Sequence, residues 1–96
     1  MISRMYSLYD KKTQVFDKPI FAPNDETIIR SVKNAFTDER SKDIPFITNP
    51  EDFQVFLIGT YNDNTGTIES KVIHIIDILE IQPDNNIVEL KQNAKE

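Results

Sequence analysis

The stretch FQVFLIGTYNDNTGTIESKVIHII, residues 53–76, decides how this chain must be read. From Phe53 to Tyr61 it is rich in β-branched and aromatic side chains, the types that fit a pleated, half-buried surface. Asn62, Asp63, Asn64, Thr65 and Gly66 then supply loop chemistry, with Gly66 free to take a positive φ. Thr67 to Ile76 returns as the partner strand, so a β-hairpin is expected. The run Val72 to Ile81 reads two ways: its β-branched content argues for strand, while Ile73, Ile76, Asp77 and Glu80 could also be placed on a helix. The strand reading is adopted. Further on, a turn is expected at Pro83–Asn86, a short edge strand at Ile87–Leu90 and a frayed tail over residues 91–96.

Upstream of the hairpin, Met5 to Tyr9 alternate, with Met5, Ser7 and Tyr9 on one side and Tyr6 and Leu8 on the other. That is a strand with both faces partly covered. A polar turn at Asp10–Thr13 leads into a second strand, Val15 to Ala22, where Pro19 cannot donate to a ladder, so this strand should form an edge or carry a bulge. Asn24, followed by Asp25 and Glu26, is an N-cap with acids in the first helical turn. Ile28, Ile29, Val32, Ala35 and Phe36 then form one apolar stripe at helical period. Arg30, Lys33 and Asn34 lie off that stripe and should face water or a ligand, and Asp38–Lys42 ends the helix. Thr48 and Asn49 before Pro50 predict one further helical turn. The expected fold is α+β: a small antiparallel sheet of two hairpins packed on one amphipathic helix, as a single domain over residues 1–90.

Ninety-six residues, 39% hydrophobic and 28% charged, suit one small core. Without cysteine there is no disulfide, no thiolate nucleophile and no Cys-based zinc site. The formal charge of −5 argues against coating nucleic acid by electrostatics alone. That charge is uneven, however. Residues 1–48 carry eight Lys and Arg against seven acids, net +1, and residues 49–96 carry three against nine, net −6. The ten residues from Val72 to Ile81 are interrupted by His74, Asp77 and Glu80 and are about half of what a membrane span needs. Met1–Asp10 alternates instead of forming an apolar block, so neither membrane insertion nor a secretory leader is expected.

Three constellations bear on chemistry. His74 is the single histidine, which excludes paired-histidine metal sites, and a lone histidine in an apolar strand is usually packed or surface-lying. Pro50, Glu51 and Asp52 followed by Glu69 and Lys71 resemble a nuclease signature in which carboxylates hold Mg²⁺ and a lysine orients water. The plain reading fits better: Glu51 and Asp52 start a helical turn, and Glu69 and Lys71 are a solvated pair on one strand face. No catalytic residue, metal or cofactor is therefore expected. The third constellation is aromatic and basic: Tyr6, Tyr9, Phe16 and Phe21 on the first hairpin with Arg4, Lys11, Lys12 and Lys18, and Arg30 and Lys33 on the helix. Sequence-tolerant single-strand binders stack bases on aromatic rings and follow phosphates with cations. The competing reading is a core that needs most of the rings, with lysines solubilising an edge.

Several segments carry a family resemblance: Met5–Asp10, Pro19–Asp25, Ile29–Ala35, Pro45–Phe46, Asn49–Phe53 and Gly59–Gly66. In order and spacing they resemble the small non-structural protein of gokushovirus-type microviruses (Microviridae), phages with single-stranded DNA. The resemblance covers Met5 to Gly66, about two thirds of the chain, and is most specific at Pro50–Phe53 with Gly59–Gly66. The sequence departs from that pattern in having Asn49 where a histidine is usual and a longer apolar tail after Gly66.

The resemblance implies a protein made in the host bacterial cytoplasm, not built into the capsid, and assigned to viral DNA synthesis or DNA binding. It supplies no catalytic residues. The expected function is a non-enzymatic accessory that contacts single-stranded DNA, with Lys11, Lys12, Lys18, Arg30 and Lys33 on phosphates and Tyr6 or Tyr9 stacking on bases. The alternative is a protein–protein adaptor for the replication initiator, a host replication factor or a capsid precursor. Open sheet edges, or the apolar Val72–Ile81 region, also make a homodimer the expected state.

Overall fold

Ile2–Asp10 forms β1, the strand to which both halves of the sheet attach. The computed structural model describes residues 1–82. On one side β1 pairs antiparallel with β2 (Val15–Phe16) near its end and with β3 (Ile20–Ala22) near its start. On the other side it pairs antiparallel with β4 (Phe53–Asn62), from Ile2 opposite Asn62 to Asp10 opposite Phe53. β5 (Thr67–Asp77) returns alongside β4 as the second hairpin, closing at Gly66 with φ 73°. β1 begins earlier than its apolar alternation predicts, because Ile2–Arg4 find ladder partners in Thr60–Asn62.

Pro19 has the predicted effect. The second strand lies at the sheet edge and is split in two around Asp17–Pro19. The break is fastened from β1: the Asp17 N–H donates to the Leu8 carbonyl at 2.8 Å, and the buried Ser7 hydroxyl donates to the Asp17 carbonyl at 2.7 Å. Register shifts between Met5 and Tyr6, at Val55–Phe56 and at Leu57–Gly59 mark bulges along β4 and its neighbours. Bulges increase local twist, and the sheet is curled.

α1 (Asp25–Ala35) starts where predicted, with Asn24 Oδ1 accepting the Thr27 N–H at 2.8 Å. A 3-10 turn at Glu39–Ser41 and a short helix α2 (Pro45–Thr48) follow; α2 has proline in its first turn and no side-chain cap, and lies outside the elements that the sequence predicts. The predicted turn after Asn49 is a 3-10 turn at Pro50–Asp52. The strand reading of Val72–Ile81 needs correction: β5 stops at Asp77, and Ile78–Ile81 form helix α3. Glu80 is the cause, since its Oε2 accepts the Asp77 N–H at 3.2 Å, one arm of a capping box. The expected turn at Pro83–Asn86, strand at Ile87–Leu90 and tail at 91–96 lie outside the described residues.

The core lies on one face of the sheet. Tyr6 and Leu8 of β1 and Val55 and Leu57 of β4 meet Ile28 and Val32 of α1 and Ile78 and Ile81 of α3. Ile29, Phe36, Phe46 and Phe53 pack partly buried against this cluster. The cover is thus divided among helices. At about 1.5 Å per residue, eleven residues of α1 span about 16 Å, against about 33 Å for ten residues of β4. One helix cannot close such a sheet. Among the described residues no helix is long and apolar enough to cross a membrane.

Candidate nucleic-acid interface

Side chains along a strand alternate between faces, so the face opposite the core carries Met5, Ser7 and Tyr9. Its neighbours follow from the register: Phe16 opposite Tyr9, Phe21 opposite Met5, Phe56 opposite Ser7, His74 opposite Phe56 and Tyr61 opposite Ser3. Four of these rings make a row across β2, β1, β4 and β5. Phe16 and Tyr9 have centroids 4.6 Å apart, Tyr9 and Phe56 5.6 Å, Phe16 and Phe56 5.4 Å, and Phe56 and His74 5.4 Å. Phe21 and Tyr61 make a second contact at 6.3 Å further along the same face. Among the described residues no helix is packed over these rings, and Phe16 is 41% and Phe21 58% exposed. Ile68 and Val72 of β5 share this face and are also exposed.

The far end of the row is polar. His74 Nε2 is hydrogen bonded to Asp77 Oδ1 at 2.7 Å, and the Gln54 side-chain amide donates to the same oxygen at 2.8 Å. The Gln54 bond, then that from His74, holds the Asp77 carboxyl below its ordinary range, with Lys11 adding a smaller attraction. Lys11 is fixed at this end because its N–H donates to the Asp52 carbonyl at 2.8 Å. Lys12 stands next to it in the exposed turn that Asp10 Oδ1 organises by accepting the Lys12 and Thr13 N–H groups. Lys18 is exposed in the break of the edge strand, its N–H donating to Asp17 Oδ1.

Tyr6 occupies a different environment from the one predicted for a stacking ring. It is fully buried on the core face, and its hydroxyl donates to Asp25 Oδ1 at 2.5 Å. Arg4 completes the group, with Nε donating to the Tyr6 hydroxyl at 2.7 Å and Nη2 to Asp25 Oδ1 at 3.0 Å. Burial first, and the bond to Asp25 second, push the Tyr6 hydroxyl up, so it stays protonated as a donor. The group ties β1 to the first turn of α1, and Tyr9 is left as the tyrosine available for stacking. Arg30 and Lys33 are exposed on α1, which covers the core face, so the sheet separates them from the aromatic row. The structure therefore gathers Tyr9, Lys11 and Lys12, places Lys18 on the neighbouring edge, and separates Tyr6, Arg30 and Lys33 from them. Phe56 and His74 join the row through cross-strand pairing, which no local spacing encodes.

The carboxylates of the nuclease-like spacing are not brought together. Glu69 pairs with Thr60, eight residues along β4 from Asp52, or about 26 Å at about 3.3 Å per residue. Among the described residues no three histidine, aspartate or glutamate side chains are placed to hold a metal ion. Compared with known families, residues 3–81 match the model of a family described as Phage ORF5 protein. No curated protein and no solved structure matches the chain.

Proposed function

The chain belongs to the Phage ORF5 protein family, and from that premise we propose that it serves a phage of single-stranded DNA as a non-enzymatic accessory in viral DNA synthesis or genome handling. The phage is of the gokushovirus-type microvirus kind, and the protein works in the host bacterial cytoplasm by weak, sequence-tolerant contact with single-stranded DNA. The observation that carries this reading is the open aromatic row of Phe16, Tyr9, Phe56 and His74. Bases stack on such rings whatever their identity, each contact contributing about 1–3 kcal/mol. Lys11, Lys12 and Lys18 lie at the rim, where phosphates of a stacked strand would run. With Asp77 and Asp52 close by, the field there is modest, so binding should be weak and sensitive to salt.

A titration of labelled oligothymidylate at two salt concentrations tests the reading. Saturable binding at low salt is expected, weakened by added salt, by Tyr9→Ala and by Lys11→Glu with Lys12→Glu. If low-salt binding is absent, the reading fails. An adaptor role then becomes the better account, and one observation favours it: an apolar cleft of about 240 Å³ between the first hairpin turn and α2, lined by Leu8, Val15, Ile44, Phe46 and Phe53. Its partner would be the replication initiator, a host replication factor or a capsid precursor.

A further inference from the structure

The two edges of the sheet are built differently. The β2/β3 edge is short and interrupted at Pro19, two of the devices by which proteins avoid pairing with other chains. On the other side, β5 has no strand partner on its outer side among the described residues. From Thr67 to His74 it contains neither proline nor glycine and every residue is exposed, Ile68 at 66% and Val72 at 59%; its register against β4 shifts once, between Ser70 and Ile73. A long, exposed and partly apolar edge is a template for a further strand.

The sequence of that edge also specifies which strand fits. We propose that the chain forms a homodimer by antiparallel pairing of β5 with the same strand of a second copy, centred on Ser70. A twofold axis through Ser70, perpendicular to the sheet, sets Glu69 opposite the partner's Lys71 and Lys71 opposite the partner's Glu69. It sets Ile68 opposite the partner's Val72, and Val72 opposite the partner's Ile68. Oppositely charged and apolar cross-strand pairs both favour that register. Neither Glu69 nor Lys71 has an ion-pair partner among the described residues, so both charges are available.

Neighbouring registers are worse. Centring the axis on Glu69 or on Lys71 opposes two like charges, which destabilises a strand pair. An axis between residues would set the open face of one copy against the core side of the other, which continuous sheet pleating does not permit. The Ser70 register keeps both faces continuous and makes an isologous interface. Its extent is at or below the ~1,200 Å² of stable complexes, so dissociation in the micromolar range is expected. The dimer does not depend on whether the open face binds DNA.

Sedimentation velocity over a concentration series, on the full chain and on Glu69→Lys, Lys71→Glu and the double exchange, tests the register. Circular dichroism establishes that each variant is folded. Each single change converts two attractive pairs into two repulsive ones and should raise the dissociation constant about tenfold. The double exchange should restore wild-type association, and an equimolar mixture of the two single variants should form a mixed dimer. A chain that stays monomeric throughout, or a dimer equally strong in all four proteins, would overturn the proposal.

Discussion

Tyr6 and Tyr9 stand three residues apart on β1 and point to opposite faces of one sheet, and their surroundings differ accordingly. Tyr6 is enclosed by Leu8, Val55, Leu57 and the helices, so its hydroxyl requires partners and finds Arg4 and Asp25. Tyr9 lies in a row of rings with no helix above it among the described residues and contacts Phe16 and Phe56. The contrast shows that ring count measures neither core nor binding surface in a chain this small. Phase along the strand decides which role a ring takes. The core face holds the fold together, and the open face is where the proposed ligand contact lies.

Substitutions on the two faces should therefore behave differently. The largest effect is expected for Tyr6→Ala, which removes a fully buried ring and leaves Arg4 and Asp25 without their shared partner; about 3–5 kcal/mol of stability should be lost in urea unfolding. Gly59→Ala comes next. An added Cβ would lie 2.5 Å from the Glu69 carbonyl of β5, so the hairpin must shift, at a cost of about 1–3 kcal/mol by the same assay. Tyr9→Ala sharpens the comparison, because it should cost about 1–3 kcal/mol in stability, the worth of two aromatic pairs, yet weaken oligonucleotide binding several-fold.

The polar end of the open face predicts a dependence on acid. The folded Asp77 carboxyl lies below its ordinary 3.8 because Gln54 and His74 bond to it. Its contribution to stability is thus present above pH 3.8 and is lost as pH falls through the lowered value. Gln54→Leu should make that loss smaller and complete it at a higher pH in an acid-unfolding titration monitored by circular dichroism. A loss of the same size, completed at the same pH in both proteins, would remove Gln54 as the cause. The smallest effect belongs to the first hairpin turn, where Gln14 has φ 61°. Gln14→Gly should leave stability unchanged or raise it by a few tenths of a kcal/mol in urea unfolding.

Local chemistry made the β–helix–β order legible from residues alone. Asn24 caps α1, Pro19 breaks the edge strand, Pro50 opens a 3-10 turn, and the alternation on either side of Gly66 forms the hairpin. The end of β5 was harder to read, since the β-branched run into Ile76 outweighed the Asp77-to-Glu80 spacing that caps α3. α2 was missed because four residues after Ile44 carry no side-chain cap.

The candidate site was half legible for a different reason. Tyr9, Lys11 and Lys12 are neighbours in sequence and remain so in space. Phe56 and His74 reach the row only because β4 pairs with β1 and β5 pairs with β4, and Arg30 and Lys33 are carried to the other face by α1. Dividing the charge between halves of the sequence therefore grouped cations that the sheet separates. The resemblance noted over Met5–Gly66 and the family match over residues 3–81 agree that this is a phage protein.

On the proposed function the two faces differ in role, the open one meeting single-stranded DNA. Chemical-shift mapping tests it most directly: oligothymidylate is added at low salt to isotopically labelled protein and each residue is followed. Perturbations concentrated at Tyr9, Phe16, Phe56 and His74, with Lys11 and Lys12 beside them and Tyr6 unmoved, are the predicted result. No perturbation, or one confined to Arg30 and Lys33 on α1, would contradict it.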